Sequence, residues 1–303
     1  MKYRIVFFGT SDFAQHILNN LLSEHQVICV VTQPDKPHGR SKKLVPSPVK
    51  EFALNKNIDV LTPLRVSGIE DDLKALKADF FVVAVYGKYL PQEILDLPEY
   101  TTLNVHPSLL PKYRGPSPVL AAILNGDKET GNTIMIISTK MDAGSILSQS
   151  RIPISPADTT QTLTKNLSED GSNLLLKTIN DFKNLVPNPQ EESQATYTKI
   201  INKEDGHINW NKKADKIERE IRAFYPWPLA FTFWQEVRLN VLKAEVSDKT
   251  LEAGKVMIEN GDLYIGTKSF ALKILEIQPA GKNPMNSKDF INGYRSINES
   301  QLT

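Results

Sequence analysis

The feature that most constrains the fold of this chain is an alternation of strand-like and helix-like stretches over roughly its first 180 residues. Tyr3 to Phe8 is a nearly continuous apolar run, which is typical of a strand buried on both faces. Gly9 then turns the chain, and apolar residues follow at helical spacing. Later runs with the same strand-like character are Val27 to Val31, Phe80 to Val85, Thr102 to Val105 and Thr133 to Ile137. This alternation predicts an α/β fold with a mostly parallel sheet, whose ligands bind at the carboxyl ends of the strands.

The pattern changes after a polar segment from Pro187 to Gln194, which lacks apolar periodicity. We therefore assign residues 1–183 to a first domain, 184–205 to a linker and 206–303 to a second domain. In the second domain, Lys213 to Phe224 has helical spacing, and Asn260-Gly261 is a hairpin signal. The short strand candidates there are Leu229 to Trp234, Arg238 to Ala244, Gly254 to Ile258, Leu263 to Gly266 and Phe270 to Ile277. They predict a small antiparallel β-barrel.

Net charge and cysteine content exclude some classes of protein. The formal net charge is +1, so any contact with RNA needs a local basic patch. The single cysteine, Cys29, excludes a disulfide within the chain. The first apolar run ends at Gly9 and is too short for a secretory signal or a membrane span. We therefore expect a cytoplasmic protein that does not associate with membranes.

Asn104 and His106 stand two apart on a predicted strand, so their side chains point to the same face of the sheet. Pro107 ends the strand, and an amide and an imidazole thus emerge together at the edge where this class of fold binds ligands. The two groups can donate hydrogen bonds to one developing oxyanion. The alternative interpretation of His106 is a structural histidine that is hydrogen-bonded within the protein.

Asp142 follows another predicted strand, in the loop from Thr139 to Gly144. A carboxylate there can orient His106 and accept a proton from an incoming ammonium, and a simple turn is the alternative. Other chemistries lack their motifs. The turn at Gly9 lacks the further glycines of a dinucleotide-binding loop, the histidines show no metal-ligand spacing, and G-x-S-x-G does not occur. The sequence therefore predicts an enzyme that uses no metal.

The densest basic patch is the stretch QPDKPHGRSKKLVPSPVK, from Gln33 to Lys50. Its basic residues are Lys36, Arg40, Lys42, Lys43 and Lys50. The prolines and the glycine among them predict an exposed loop. This loop is either a solvated charged surface or a site of phosphate contact with RNA.

Together these residues resemble the methionyl-tRNA formyltransferase family, within the wider group of 10-formyltetrahydrofolate-dependent formyltransferases. The run N-V-H-P-S-L-L-P-K-Y-R-G from Asn104 to Gly115 is similar to the family signature, although Pro107 stands where many relatives have glycine. The motifs R-A-F-Y-P-W-P (222–228) and Q-P-A-G-K (278–282) resemble the family's carboxyl-terminal domain. The resemblance implies catalytic roles for Asn104, His106 and Asp142. It also implies tetrahydrofolate contacts from Ser108, Leu109, Leu110 and Pro111, and tRNA contacts from Lys36, Arg40, Lys42 and Lys43.

The resemblance further implies a Rossmann-like catalytic domain followed by an OB-like β-barrel domain that binds tRNA. The expected reaction moves the formyl group of 10-formyltetrahydrofolate, as co-substrate, to the α-amine of initiator methionyl-tRNA. We expect a monomer. Two alternatives stay open at this point: a formyltransferase for the amine of a sugar nucleotide or ribonucleotide, and a non-catalytic tRNA-binding protein.

Overall fold

The computed structural model describes residues 2–38 and 43–303. Its first nine strands are β1 (Arg4–Gly9), β2 (Gln26–Val31), β3 (Lys36–His38), β4 (Lys43–Val45), β5 (Val60–Leu61), β6 (Phe80–Ala84), β7 (Thr101–His106), β8 (Glu129–Ile136) and β9 (Ile146–Pro153). Its first six helices are α1 (Asp12–Glu24), α2 (Pro48–Asn55), α3 (Glu70–Ala75), α4 (Gln92–Leu95), α5 (Pro118–Asn125) and α6 (Thr160–Asp181). The predicted α/β alternation is confirmed.

Seven of these strands form one sheet in the order β5-β2-β1-β6-β7-β8-β9. The pairings from β5 to β7 are parallel, whereas β8 runs antiparallel to both β7 and β9. The prediction of a mostly parallel sheet is therefore confirmed. β9 was not predicted, because its sequence ILSQSRIP is largely polar and only one of its faces is covered.

The predicted loop from Gln33 to Lys50 is in part a β-hairpin, which corrects the sequence interpretation. β3 pairs antiparallel with β4, and Pro48 begins α2, where the Ser47 hydroxyl accepts a hydrogen bond from the Lys50 amide (3.1 Å). The prolines misled the prediction because an edge strand and the first turn of a helix both tolerate proline. The hairpin residues Lys36 and Lys43 are exposed, as predicted. Residues 39–42, which include Arg40 and Lys42, lie outside the described residues.

One face of the sheet packs on a continuous apolar cluster, which includes Val6, Phe8, Cys29, Val31 and Phe81. Burial raises the pKa of Cys29 to about 11, so its thiol stays protonated at neutral pH and acts as a small core side chain. None of the helices in the described part of the chain combines the length and the hydropathy that a membrane span needs.

The carboxyl-terminal strands form an antiparallel sheet. They are β10 (Ala230–Trp234), β11 (Val237–Val246), β12 (Val256–Glu259), β13 (Asp262–Ile265), β14 (Leu272–Pro279) and β15 (Met285–Asn286), accompanied by α7 (Ala214–Ala223) and α8 (Ser287–Gly293). The order is β10-β11-β14-β13-β12, with β15 beside β14. Asn260 and Gly261 join β12 to β13 with φ of 53° and 80°, the backbone that a two-residue hairpin turn requires. The predicted small antiparallel β domain is confirmed.

The chain divides into two compact units with discontinuous limits. The first contains the chain up to Pro118, Glu129–Pro153 and Thr164–Thr198, and the second contains Val119–Lys128, Ile154–Leu163 and Lys199–Thr303. Residues 184–198, which the sequence analysis placed in a linker, thus lie in the first unit. The backbone of Asn188 there exchanges two hydrogen bonds of 2.8 Å with that of Ile146 on β9.

Candidate active site

The loops at the carboxyl ends of the parallel strands are tied to one another. Beyond β6, the carbonyl oxygen of Tyr86 accepts hydrogen bonds from the Thr10 hydroxyl (3.1 Å), beyond β1, and from the Gln33 amide (2.7 Å), beyond β2. A cleft of about 560 Å³ opens beside this junction. Its lining includes Thr10, Asp12, Gln33, Lys36, Ser47 and Phe52. At the edge where parallel sheets bind ligands, hydrogen bonds thus hold the loops together, and a cleft beside them is accessible to solvent.

Asn104 and His106 lie at the carboxyl end of β7 with their side chains on the same face of the sheet, while Val105 is buried on the other face. Asn104 is half-buried, and His106 is 5% exposed. Within residues 2–38 and 43–303, no protein group is hydrogen-bonded to the side chain of Asn104. Its amide N–H groups are therefore available to a ligand.

Asp142 lies in the loop after β8 and reaches the imidazole of His106. Its Oδ2 is 3.7 Å from His106 Nδ1 and accepts a hydrogen bond of 2.7 Å from the Gly115 amide. A distance of 3.7 Å is too long for a direct hydrogen bond, and the carboxylate attracts the ring electrostatically when His106 is protonated to an imidazolium. The carboxylate is 18% exposed, so water screens this attraction only in part.

The second nitrogen of His106 also meets an acceptor. Nε2 lies 3.0 Å from the carbonyl oxygen of Tyr113, so this nitrogen carries a proton in the tautomer that satisfies the carbonyl. Nδ1 is then the nitrogen that faces Asp142. An imidazolium with protons on both nitrogens matches both neighbours, because a carbonyl and a carboxylate are both acceptors.

The segment from Ser108 to Pro111 directly follows β7 and is fixed by two polar side chains. The Thr133 hydroxyl donates to the carbonyl of Ser108 (2.6 Å), and the Gln149 amide donates to the carbonyl of Leu110 (2.9 Å). The side chains of Ser108 and Leu110 are buried, whereas those of Leu109 and Pro111 are partly exposed. Leu109 and Pro111 are thus the members of this segment with surface to offer to a ligand.

Lys36 and Lys43 lie on the same face of the β3–β4 hairpin. Lys36 is opposite Val45, and alternation along β4 places Lys43 on the side of Val45. Lys50, by contrast, is neutralised by Asp35, since their charged groups are 2.7 Å apart. The exposed hairpin therefore presents Lys36 and Lys43 on one face, whereas the charge of Lys50, on α2, is already paired.

The sequence alone did not identify Arg114 as a residue that joins distant parts of the site. Its side chain is buried, with 1% of its surface exposed. It donates to Gln190 Oε1 from Nε and Nη2, and from Nη1 to Glu192 (2.9 Å) and to the Tyr197 hydroxyl (3.0 Å). Burial opposes the charge, but the hydrogen bonds to Glu192 and Tyr197 raise the pKa of Arg114 above its usual value. Arg114 stood within the signature run, yet its partners are more than 70 residues away and carried no sequence signal.

Comparisons with family models and known sequences identify the relatives of this chain. A model described as formyl transferase matches residues 3–179, and one described as formyl transferase, C-terminal domain, matches residues 200–295. The methionyl-tRNA formyltransferase of Roseiflexus castenholzii is 44% identical over 100% of this chain and 99% of that protein. The protein of the same name from Thermodesulfovibrio yellowstonii is 41% identical over 99% of this chain and 98% of that protein.

Solved structures share the fold at lower identity. The N-formyltransferase of Helicobacter canadensis, in complex with folinic acid and dTDP-3-aminofucose, has a TM-score of 0.66 at 22% identity, over 90% of this chain and 99% of that chain. HypX from Aquifex aeolicus, in complex with tetrahydrofolic acid, has a TM-score of 0.68 at 18% identity, over 99% of this chain and 49% of that chain. At these identities the likeness supports the fold alone. The family models and the full-length relatives carry the assignment: this chain belongs to the formyl transferase family, as its sequence predicted.

Proposed function

We propose that this protein transfers the formyl group of 10-formyltetrahydrofolate to the α-amine of initiator methionyl-tRNA. The observation that carries the proposal is the meeting of Asn104, His106 and Asp142 at the carboxyl edge of the sheet, with His106 Nδ1 and Asp142 Oδ2 3.7 Å apart. The full-length relatives named methionyl-tRNA formyltransferase support methionyl-tRNA as the acceptor. The product is N-formylmethionyl-tRNA, which serves translation initiation in the cytoplasm, and the protein acts as a monomer.

The chemical step is a direct acyl transfer. The neutral amine attacks the formyl carbon, and the carbonyl electrons move to the formyl oxygen. The oxyanion then re-forms the carbonyl as the bond from carbon to N10 breaks, and N10 gains the proton that the amine loses. The protein therefore has to stabilise one oxyanion and to move one proton.

Asn104 and His106 supply the oxyanion donors. The Asn104 amide has N–H groups that the described protein does not use, and His106 lies two residues further along the same strand. Because the N–H on Nε2 donates to the Tyr113 carbonyl, His106 donates to the oxyanion from Nδ1, and it does so as an imidazolium that carries protons on both nitrogens. The Asp142 carboxylate stabilises this imidazolium and accepts the proton of the attacking amine, which then passes to N10.

Each co-substrate contacts a separate segment of the chain. The segment from Ser108 to Pro111 contacts tetrahydrofolate, and Thr133 and Gln149 hold its carbonyls in place. The β3–β4 hairpin contacts the phosphates of the tRNA through Lys36 and Lys43, together with Arg40 and Lys42.

A direct assay tests the proposal. The protein is mixed with 10-formyltetrahydrofolate and charged initiator tRNA, and the amino acid released from the tRNA is examined by mass spectrometry. We expect N-formylmethionine only in the complete mixture. Parallel samples contain an amino-sugar nucleotide or an amine-bearing ribonucleotide in place of the tRNA. Faster formylation of either compound, or tRNA binding without any formyl transfer, would refute the proposal.

A further inference from the structure

We propose that Gln190, which lies in residues 188–198, here called the strap, is a positioning residue for Asp142. The proposal rests on the role that the proposed function gives to Asp142. Gln190 is bonded to the Asp142 loop through its amide nitrogen and to Arg114 through its amide oxygen.

The amide nitrogen of Gln190 holds the turn that carries Asp142. Nε2 donates one hydrogen bond to the carbonyl of Asp142 and one to the carbonyl of Gly144, each 2.8 Å long. Asp142 has a φ of 48°, in the left-handed region that non-glycine residues seldom adopt. Such a backbone persists only where surrounding contacts hold it, and Gln190 bonds to the carbonyl of this residue and to that of Gly144, two residues further along.

The orientation of the Gln190 amide follows from the chemistry of its neighbours. Oε1 faces Nε (3.1 Å) and Nη2 (3.0 Å) of Arg114, a guanidinium that can only donate. Nε2 faces two carbonyl oxygens, which can only accept. The arrangement requires an amide at position 190, since a carboxylate keeps the bonds to Arg114 and loses those to the Asp142 loop.

The strap also holds the second loop of the site. The amide of Arg114 donates to the carbonyl of Thr196 (2.9 Å), and the amide of Thr198 donates to the carbonyl of Arg114 (2.8 Å). On either side of Arg114, Tyr113 presents its carbonyl to His106, and Gly115 donates its amide to Asp142. The strap therefore fixes both main-chain segments that set the positions of the imidazole and the carboxylate.

This arrangement predicts a specific kinetic defect. Gln190 holds the Asp142 loop, and the groups that its side chain contacts in the described residues belong neither to the folate-contacting segment nor to the basic hairpin. Its loss should therefore affect the chemical step more than substrate affinity. A displacement of about 1 Å at a catalytic group costs up to about 100-fold in rate. We expect Gln190→Ala to lower kcat by about 10- to 100-fold, with both KM values close to those of the unsubstituted protein.

The test compares three variants of the full chain. Gln190→Ala removes both sets of bonds, and Gln190→Glu keeps the acceptor for Arg114 and removes the donors to Asp142 and Gly144. Gln194→Ala is the matched control, because Gln194 lies in the same strap, is exposed and donates from its side chain to Glu191. We expect Gln190→Glu to lose kcat as Gln190→Ala does, and Gln194→Ala to match the unsubstituted protein. Normal turnover of Gln190→Glu, with a normal thermal melt, would overturn the proposal.

A double-mutant cycle with Asp142→Asn separates this proposal from the proposed function. If Gln190 acts through Asp142, adding Gln190→Ala to Asp142→Asn lowers kcat little further. A full additional loss would show that Gln190 acts in another way, and the positioning role would fail. Normal turnover of Asp142→Asn alone would refute the catalytic role of Asp142 itself.

Discussion

Asn104 and His106 differ from Asp142 in how the fold holds them. The first two lie on β7, a strand paired on both sides within the sheet, so the ladder of backbone hydrogen bonds fixes where they point. Asp142 lies on a loop and has a left-handed backbone conformation, and the Gly115 amide and the Gln190 side chain hold it from distant parts of the chain. The comparison teaches that a strand positions a catalytic group through local geometry, whereas a loop needs a separately built support.

The largest expected effect is on the strand side. Asn104→Ala should lower kcat by about 100- to 1000-fold, the usual cost of one oxyanion donor. The free energy of unfolding should hardly change, because the Asn104 amide has no hydrogen-bond partner in the described part of the chain. Formyl-transfer kinetics and urea denaturation measure the two quantities. Near-normal turnover of Asn104→Ala, or a large loss of its stability, would contradict the difference between the strand residues and Asp142.

The next effect is on the support of the loop. Arg114→Met leaves the half-buried Oε1 of Gln190 without its two donors, which costs about 1–3 kcal/mol of unfolding free energy, whereas the exposed Glu192 is solvated by water instead. Turnover should fall with stability, by about 10- to 100-fold, because the Asp142 loop loosens. Arg151→Met is the control: Arg151 is 64% exposed and pairs with the exposed Glu129, so stability should change by only about 0.5 kcal/mol. Equal effects of the two substitutions would contradict the buried role of Arg114.

A backbone substitution in the loop after β7, which contains Arg114, should change stability by a similar amount. Gly115 has a φ of 106°, and a Cβ at this position would lie 2.8 Å from Thr198 Oγ1 and 3.0 Å from the Thr198 carbonyl oxygen. Gly115→Ala should therefore cost about 1–3 kcal/mol, measured by denaturation. Gly68→Ala serves for comparison, since a Cβ there meets no atom within 4 Å. If neither substitution lowers the free energy of unfolding, Thr198 of the strap does not pack closely against Gly115.

The smallest expected effect lies outside both regions. Lys36→Ala combined with Lys43→Ala should weaken tRNA binding and reduce the salt dependence of log affinity by about two units, about one for each lysine that no longer neutralises a phosphate. The value of kcat at saturating tRNA should not change, because the β3–β4 hairpin does not hold the catalytic groups. Binding titrations over a range of salt measure the slope, with Lys74→Ala on α3 as the control. An unchanged slope would remove these lysines from the interface.

The parts of the fold that the sequence could predict are those with a strong local signal. Continuous apolar runs identified β1, β2 and β6, because strands buried on both faces are mostly apolar. The sequence did not predict β9 or the β3–β4 hairpin, because their residues are mostly polar or exposed and include a proline. Such elements owe their form to their pairing partners rather than to their own composition.

In the candidate site, too, the residues with a local sequence signal could be predicted, and those held by distant contacts could not. The sequence by itself determined that Asn104 and His106 share one face of a strand, since side-chain alternation is a local property of the backbone. It also marked Asp142 as a polar residue in the loop after another predicted strand. Only the tertiary structure decided that Gln190, in a segment with the composition of a linker, bridges Arg114 and the Asp142 loop. Gln190 is 48 positions from Asp142 and 76 from Arg114 in the sequence. Contacts over such separations leave no periodicity in a single sequence, because they depend on how the whole chain folds back on itself.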